Sequence, residues 1–437
     1  MKLYRALAWM ACLASMRAET KVIEGFTLID GTGKPAQANS AMIVTDGKIQ
    51  WVGAAKDLKA PAGAERSKLT GKYVIPGIIN LHGHLGNTIG LIQDPKNYTR
   101  ANLAANLKTY ADYGVTSVMS MGSDQPAALE LRAEQRSGRA KTTRVFTAGR
   151  GFTGVGGYPT KAMGMKGVPY EAASVADVTK AINELAGQKV DLVKIWVDDH
   201  LGKEQKIPLD ISKEIIKQAH AKGLKVGAHI FYLQDAKDLV RAGLDGLAHS
   251  VRDKPVDQEL IDLMKKNGAW QQAATFTREL SVFAYVKDPP FLNDPFFRKS
   301  VTADVLKTLA SEEYHKKQDH EAGLYPAFLE TAKKNLKKLY DSGVNVGFGT
   351  DTGPPARFPG FFEHLEVEMM ADAGFTPAQI ITIATKRGAE FLGQGKSLGT
   401  LEAGKWADLV VLGKDPLADI KNLRAIETVW VAGNKAN

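Results

Sequence analysis

Between Val74 and Leu392 the chain repeats one rhythm, a short apolar run followed by a longer stretch of helical periodicity, and this restricts the fold more than any other feature. Strand-like runs fall at 116–121, 145–148, 191–197, 225–230, 246–249 and 345–350, and helical patterns at 210–222 and 326–342 lie between or after them. Alternation of this kind predicts an α/β fold with a parallel sheet and helices outside. The length fits eight such units closing into a (β/α)8 TIM-like barrel over 78–392. One stretch, 279–326, breaks the rhythm with Phe283, Tyr285, Pro289, Pro290, Phe291, Pro295, Phe296 and Phe297. A connection that long is expected to be either a lid or a packing insertion.

The two ends differ from the middle. Residues 19–77 hold β-like runs at 21–25, 41–44 and 49–53, with Asp46-Gly47 as a hairpin signal, and 393–437 repeats the style at 408–412 and 428–433. Both ends are expected to build one small β-sandwich. The first 18 residues read as a signal peptide: Lys2 and Arg5, then the apolar stretch Ala6 to Ala14, then small residues up to Ala18. Export to the periplasm or outside is therefore expected, and that stretch is too short to span a bilayer.

Cys12, the single cysteine, lies in that segment, so the mature chain would hold a metal only through nitrogen and oxygen. The formal charge of +9 falls by three when Lys2, Arg5 and Arg17 are removed, and the remaining cations are dispersed. Lys333, Lys334, Lys337 and Lys338 sit at helical spacing, as on a solvated helix face. Nucleic acid is thereby excluded as a partner, and a small-molecule substrate is expected, with a homo-oligomer open.

Four of the nine histidines mark strand ends. His82 and His84 are two apart at the end of an apolar run, so both imidazoles project from one face and can grip one divalent cation. His229 and His249 close the next two candidate strands. A hydrogen-bonded structural histidine is the competing explanation for each alone, but four at one topological position point to the end of the barrel where active sites lie. Asp351 follows the run at 345–350, where it can ligate a metal and handle a proton, or cap a helix. Gly353, Pro354 and Pro355 directly after it argue against the cap.

Lys194 interrupts an apolar strand on the same face as Leu192 and Trp196. Burial lowers a lysine pKa, and a neutral amine can combine with CO2 to form a carbamate (N6-carboxylysine) whose two oxygens bridge two cations. The alternative is an ion pair with Asp198 or Asp199.

These residues resemble the amidohydrolase superfamily. The run 74–84 ending in His82-Gly83-His84 is similar to its opening-strand signature, 349–353 to its last barrel strand and 401–412 to its closing segment. The lysine in AspLeuValLysIle resembles the imidazolonepropionase-like and prolidase-like branch, which includes Xaa-Pro dipeptidases and ochratoxin amidases. The resemblance implies that His82, His84 and Asp351 bind the more buried ion, and that carboxylated Lys194 bridges to a second ion completed by His229 and His249. Two departures stand out: Asn80 where the signature has Asp, and Tyr158 after Gly156-Gly157 where the branch often has His.

The expected activity is hydrolysis of an amide, dipeptide or N-acyl amino acid by a hydroxide shared between two divalent ions, zinc by default on abundance, with Asp351 as proton shuttle. Arg252 and Arg150 are candidates for a substrate carboxylate, and Tyr158 and Tyr232 for the oxyanion. Three alternatives stay open. A lactonase or phosphotriesterase would use the same metals, a mononuclear deaminase or imidazolone hydrolase would lack the bridging lysine, and a silent barrel would only bind.

Overall fold

The computed structural model describes residues 19–318 and 320–437; the expected signal segment, 1–18, lies outside the described residues. The predicted α/β alternation is present. One three-stranded parallel sheet contains Arg144–Thr147, Val115–Ser120 and Ile78–Gly83 in that order. A second runs Tyr170–Glu171, Phe152–Thr153, Val193–Trp196, Val226–His229, Gly246–Leu247, Trp270–Gln271. The expected strand at 345–350 is reduced to isolated parallel bridges, Gln271 with Val346 and Gly83 with Thr352. The ladder fails there because the His82 carbonyl receives the amides of both Thr350 and Asp351, at 3.3 and 2.7 Å.

Alternation along these strands sorts the side chains. Val193, Ile195, Val226 and Ala228 pack outward with Ile182, Leu185, Ile215 and Leu239 of the flanking helices. Lys194 and Trp196 take the opposite face, as period-two geometry requires. The helices Val175–Gly187 and Leu209–Ala221 follow from their patterns: Ser174 and Asp177 form a capping box at the first. Ile211, Ile215, Ile216 and Ala219 make the buried stripe of the second.

Both ends of the chain contribute to one eight-stranded sheet whose continuous path runs Asn434–Lys435, Ile426–Val431, Leu409–Leu412, Tyr73–Pro76, Thr20–Leu28, Gln37–Thr45, Lys48–Ala54. Glu65–Lys68 also pairs with Thr20–Leu28. The hairpin expected at Asp46-Gly47 forms, both residues having positive φ (49° and 81°). This sheet has a core of its own, with Ile23, Phe26 and Met42 from one end and Leu409, Val411 and Trp430 from the other.

The stretch 279–326 is a set of short helices. Its Tyr285, Leu292, Phe297 and Leu309 form one apolar cluster with Ala356, Phe361 and Phe362, which follow the last strand position. It packs against the 352–362 segment.

Candidate metal centre

His82 sits in Ile78–Gly83 and His84 one residue beyond it, while His229 ends its strand and His249 follows Gly246–Leu247. Lys194 lies in Val193–Trp196. His82, Lys194, His229, His249 and Asp351 are all buried, and His84 is partly exposed. Ring centroids of His82 and His249 are 4.7 Å apart, and those of His229 and His249 are 4.0 Å apart. The structure brings the four histidines, the lysine and the aspartate to one place.

One nitrogen of each imidazole is committed elsewhere. His82 Nδ1 meets the Ala248 carbonyl at 2.8 Å, so Nδ1–H donates and Nε2 keeps its lone pair. Thr275 gives its hydroxyl proton to the Ala274 carbonyl and so accepts from His249 Nδ1 at 2.9 Å. His84 Nδ1 meets the Ser123 hydroxyl at 2.9 Å. His229 differs: its Nε2 donates to Asp198 at 2.6 Å, which leaves the lone pair on Nδ1 free for a metal. Asp198, which sequence alone offered as a partner for Lys194, therefore orients His229 instead. Burial would raise the Asp198 pKa, but the hydrogen bond from His229, with Arg252 nearby, holds it well below the carboxylate range.

The imidazoles of His82, His229 and His249 are kept neutral, the form that binds metal. Burial pushes His82 and His249 well below the ordinary histidine value, and neighbouring positive charge adds to it. Burial brings His229 down to about 4, against the opposing pull of Asp198. Lys194 is fully buried and its Nζ has no hydrogen-bond partner; burial lowers its pKa to about 7, with Asp351 pulling the other way.

Three ligand atoms, one each from His82, His84 and Asp351, lie within 4.8 Å of one another. Asp351 Oδ1 is 3.5 Å from His82 Nε2 and 3.0 Å from His84 Nε2. Buried Nε2 atoms of His82 and His249 and the Lys194 amine all lack hydrogen-bond partners. Unsatisfied nitrogens converging beside a carboxylate are costly unless something binds them, and this donor set fits divalent cations. Backbone strain marks the same place: Asp351 and Thr275 adopt left-handed conformations (φ 59° and 58°), uncommon for residues with a side chain. Gly353 and Gly151 permit close approaches here. A Cβ on Gly353 would lie 1.9 Å from the His84 carbonyl oxygen, and one on Gly151 would lie 2.4 Å from the Trp196 ring.

A cavity opens over the centre. Its walls include Tyr158, Met163, Met165 and Trp196, and its polar lining includes Ser123 and Arg357. Of the four proposed substrate contacts, Tyr158 lines the cavity, with its ring 5.2 Å from that of His229. Its hydroxyl points to Met163 Sδ, at 3.2 Å. The other three are held elsewhere. Arg252 is buried, 3.0 Å from Glu279 and bonded to the carbonyls of Ile230 and Ser250. Arg150 binds the carbonyls of residues 167–169, and the Tyr232 hydroxyl donates to Asp199. Arg357 was missed by sequence reasoning. Its only signal is a cation six residues past Asp351, after two prolines, which by itself indicates nothing.

The sequence profile of the amidohydrolase family matches residues 73–436. Ochratoxinase from Aspergillus niger is 24% identical over 456 residues, covering 95% of this chain and 86% of that protein. Among solved structures, a Xaa-Pro dipeptidase with bound methionine superposes with a TM-score of 0.75 at 20% identity, covering 95% of this chain and 99% of that one. Molinate hydrolase superposes with a TM-score of 0.72 at 20% identity, covering 96% and 94%.

Proposed function

Since the chain belongs to the amidohydrolase family and is a hydrolase of carbon–nitrogen bonds, we propose that it cleaves an amide, in a dipeptide or N-acyl amino acid, at a pair of divalent cations. His82, His84 and Asp351 would hold the deeper ion, and His229 and His249 the other, with carboxylated Lys194 between them. One observation carries the two-ion reading: a fully buried lysine amine without a hydrogen-bond partner among neutral histidines. An ammonium there is costly, whereas a carbamate supplies two anionic oxygens in its place.

Bound cations would supply Lewis acidity and a water acidified to near neutral pH. The residues of the chain do the rest. Ala248, Thr275 and Asp198 fix the tautomers of His82, His249 and His229, so that one lone pair of each faces the centre. Asp351 accepts a proton from the water as its oxygen adds to the amide carbon. It then returns that proton to the nitrogen as the C–N bond breaks.

We also read the two parallel sheets and residues 345–352 as one closed (β/α)8 barrel over 78–392. The support is the pair of bridges at Val346 and Thr352 and a hydrogen bond from Asp191 N to Thr147 O of 2.8 Å. Segments 19–77 and 393–437 form the second domain, and the shared core of the terminal sheet supports reading it as a sandwich.

Elemental analysis of protein supplied with bicarbonate and divalent ions, beside turnover of Xaa-Pro dipeptides and N-acyl amino acids, tests the proposal. Two ions per chain and amide cleavage are expected. One ion or none beside an unmodified Lys194 rejects the two-ion centre, and lactone or phosphotriester turnover without amide cleavage rejects the substrate class.

A further inference from the structure

We propose that Arg357 is the specificity residue of this site, binding a carboxylate on the substrate. The inference deepens the amide-hydrolase reading and rests on it. Arg357 lines the cavity over the metal centre, and its Nη1 contacts Asp351 Oδ2. Among the described residues its only side-chain hydrogen bond runs from Nη1 to Asp351, so Nε and Nη2 donate to no protein acceptor, although the side chain is only 9% exposed. A guanidinium held nearly buried, with part of its fork unused, is a site for a planar anion that accepts two parallel N–H bonds. No other lysine or arginine lines this cavity among the described residues. The lining also includes Tyr158, Met163, Met165 and Trp196, which are largely apolar. Together these features describe an amide substrate with an apolar body and a free carboxylate.

The loop bearing Arg357 is built to aim it. Arg357 N donates to the Pro354 carbonyl at 3.1 Å, and the Arg357 carbonyl accepts from Gly353 N at 2.9 Å. Ala356 is held at φ 61°, a strained conformation for alanine. The buried Tyr285 hydroxyl donates to the Ala356 carbonyl at 2.8 Å, and Ala356 belongs to the aromatic cluster of the 279–326 segment. That segment thus acts as a brace behind the arginine. A second cavity, lined by Val301 and Val305, also has Arg357 on its wall. It leaves room for groups attached beside the carboxylate.

The test compares an N-acyl amino acid having an apolar side chain with its carboxamide analogue, which has the same body and no charge. In the metal-loaded wild type, kcat/KM for the carboxylate is expected to exceed that for the carboxamide about 100-fold, the scale of losing charge-assisted hydrogen bonds. In R357Q that ratio falls to near one, mainly through KM, and R357K recovers part of it. Y285F, which keeps the ring and removes the bond to Ala356, lowers the ratio partway. An R357Q ratio within threefold of wild type overturns the proposal, because Arg357 would then serve only Asp351. Calorimetric binding of the free amino acid product gives a second readout: wild type binds it and R357Q binds at least tenfold more weakly, and equal binding also overturns the assignment. If wild type cleaves neither amide, the amide-hydrolase reading fails, while the calorimetry still decides Arg357.

Discussion

At the residue scale the centre depends on side chains whose alternatives are closed off. Asp351 pairs with two histidines and an arginine at once, and it adopts a strained backbone to do so. D351N keeps a donor atom for metal but cannot carry a proton. It is expected to retain its metal content by elemental analysis while kcat falls roughly 10²–10⁴-fold. Near-normal turnover would remove Asp351 from proton transfer.

Asn80 is the second such position. Its amide donates to Glu363 Oε1 at 2.7 Å and to Thr350 Oγ1 at 3.0 Å, and its Oδ1 accepts from His82 N at 2.8 Å. Thr350, Thr352 and Gly360 N also donate to Glu363, so one buried carboxylate ties together the strand ends carrying His82 and Asp351. An aspartate at 80 would set a second carboxylate against Glu363. N80D is expected to lose about 3 kcal/mol of stability, by the cost of an uncompensated buried charge, and to bind metal more weakly. N80D/E363Q, which restores a donor–acceptor pair, should recover most of both in denaturation and metal titrations, and no recovery would refute the coupling. The sequence shows Asn80 as a departure from the family signature, but its partner lies 283 positions away, beyond any local pattern.

At the element scale, the helix Phe276–Ala284 begins after Thr275 without a side-chain cap of its own. Glu366, on the helix Phe361–Asp372, caps it from outside by accepting from Phe276 N, Thr277 N and Thr277 Oγ1 at 2.8, 2.8 and 2.7 Å. Because Thr275 also orients His249, this cap bears on the proposed metal centre. E366A is expected to lower stability by about 1–3 kcal/mol, the cost of stranded buried donors, and to weaken metal binding. Burial raises the Glu366 pKa from 4.5 to about 7. The native state therefore holds a proton that the unfolded chain releases above 4.5. This contribution to stability is fully present below 4.5 and is lost as pH rises through about 7. Urea denaturation from pH 4.5 to 7.5 should show E366Q lacking that fall, and identical pH slopes would contradict the shift.

For the whole molecule, the donors come from strands distributed around both parallel sheets, so bound ions would cross-link distant parts of the chain. Chelation is expected to reduce stability by about 4 kcal/mol if the site is normally loaded at a thousand times its Kd. Divalent ions with bicarbonate should restore the Tm, and the same ions in CO2-free buffer should restore only part of it. An unchanged Tm after verified metal removal would show that the fold closes without the ions.

Sequence alone carried the alternation of strands and helices, short of the run at 345–350, and the six candidate positions that the fold brings together, because period-two alternation sets which face a side chain takes and the end of an apolar run sets its depth. Lys194 was legible for the same reason, as one cation in an apolar strand. Tertiary structure decided which nitrogen of each histidine is free, that Asp198 serves His229, and that Arg357 rather than Arg150, Arg252 or Tyr232 meets the cavity. Those outcomes depend on distances between loops remote in sequence. Such distances are set by packing, here of the aromatic segment at 279–326 behind Ala356, and local periodicity carries no record of them.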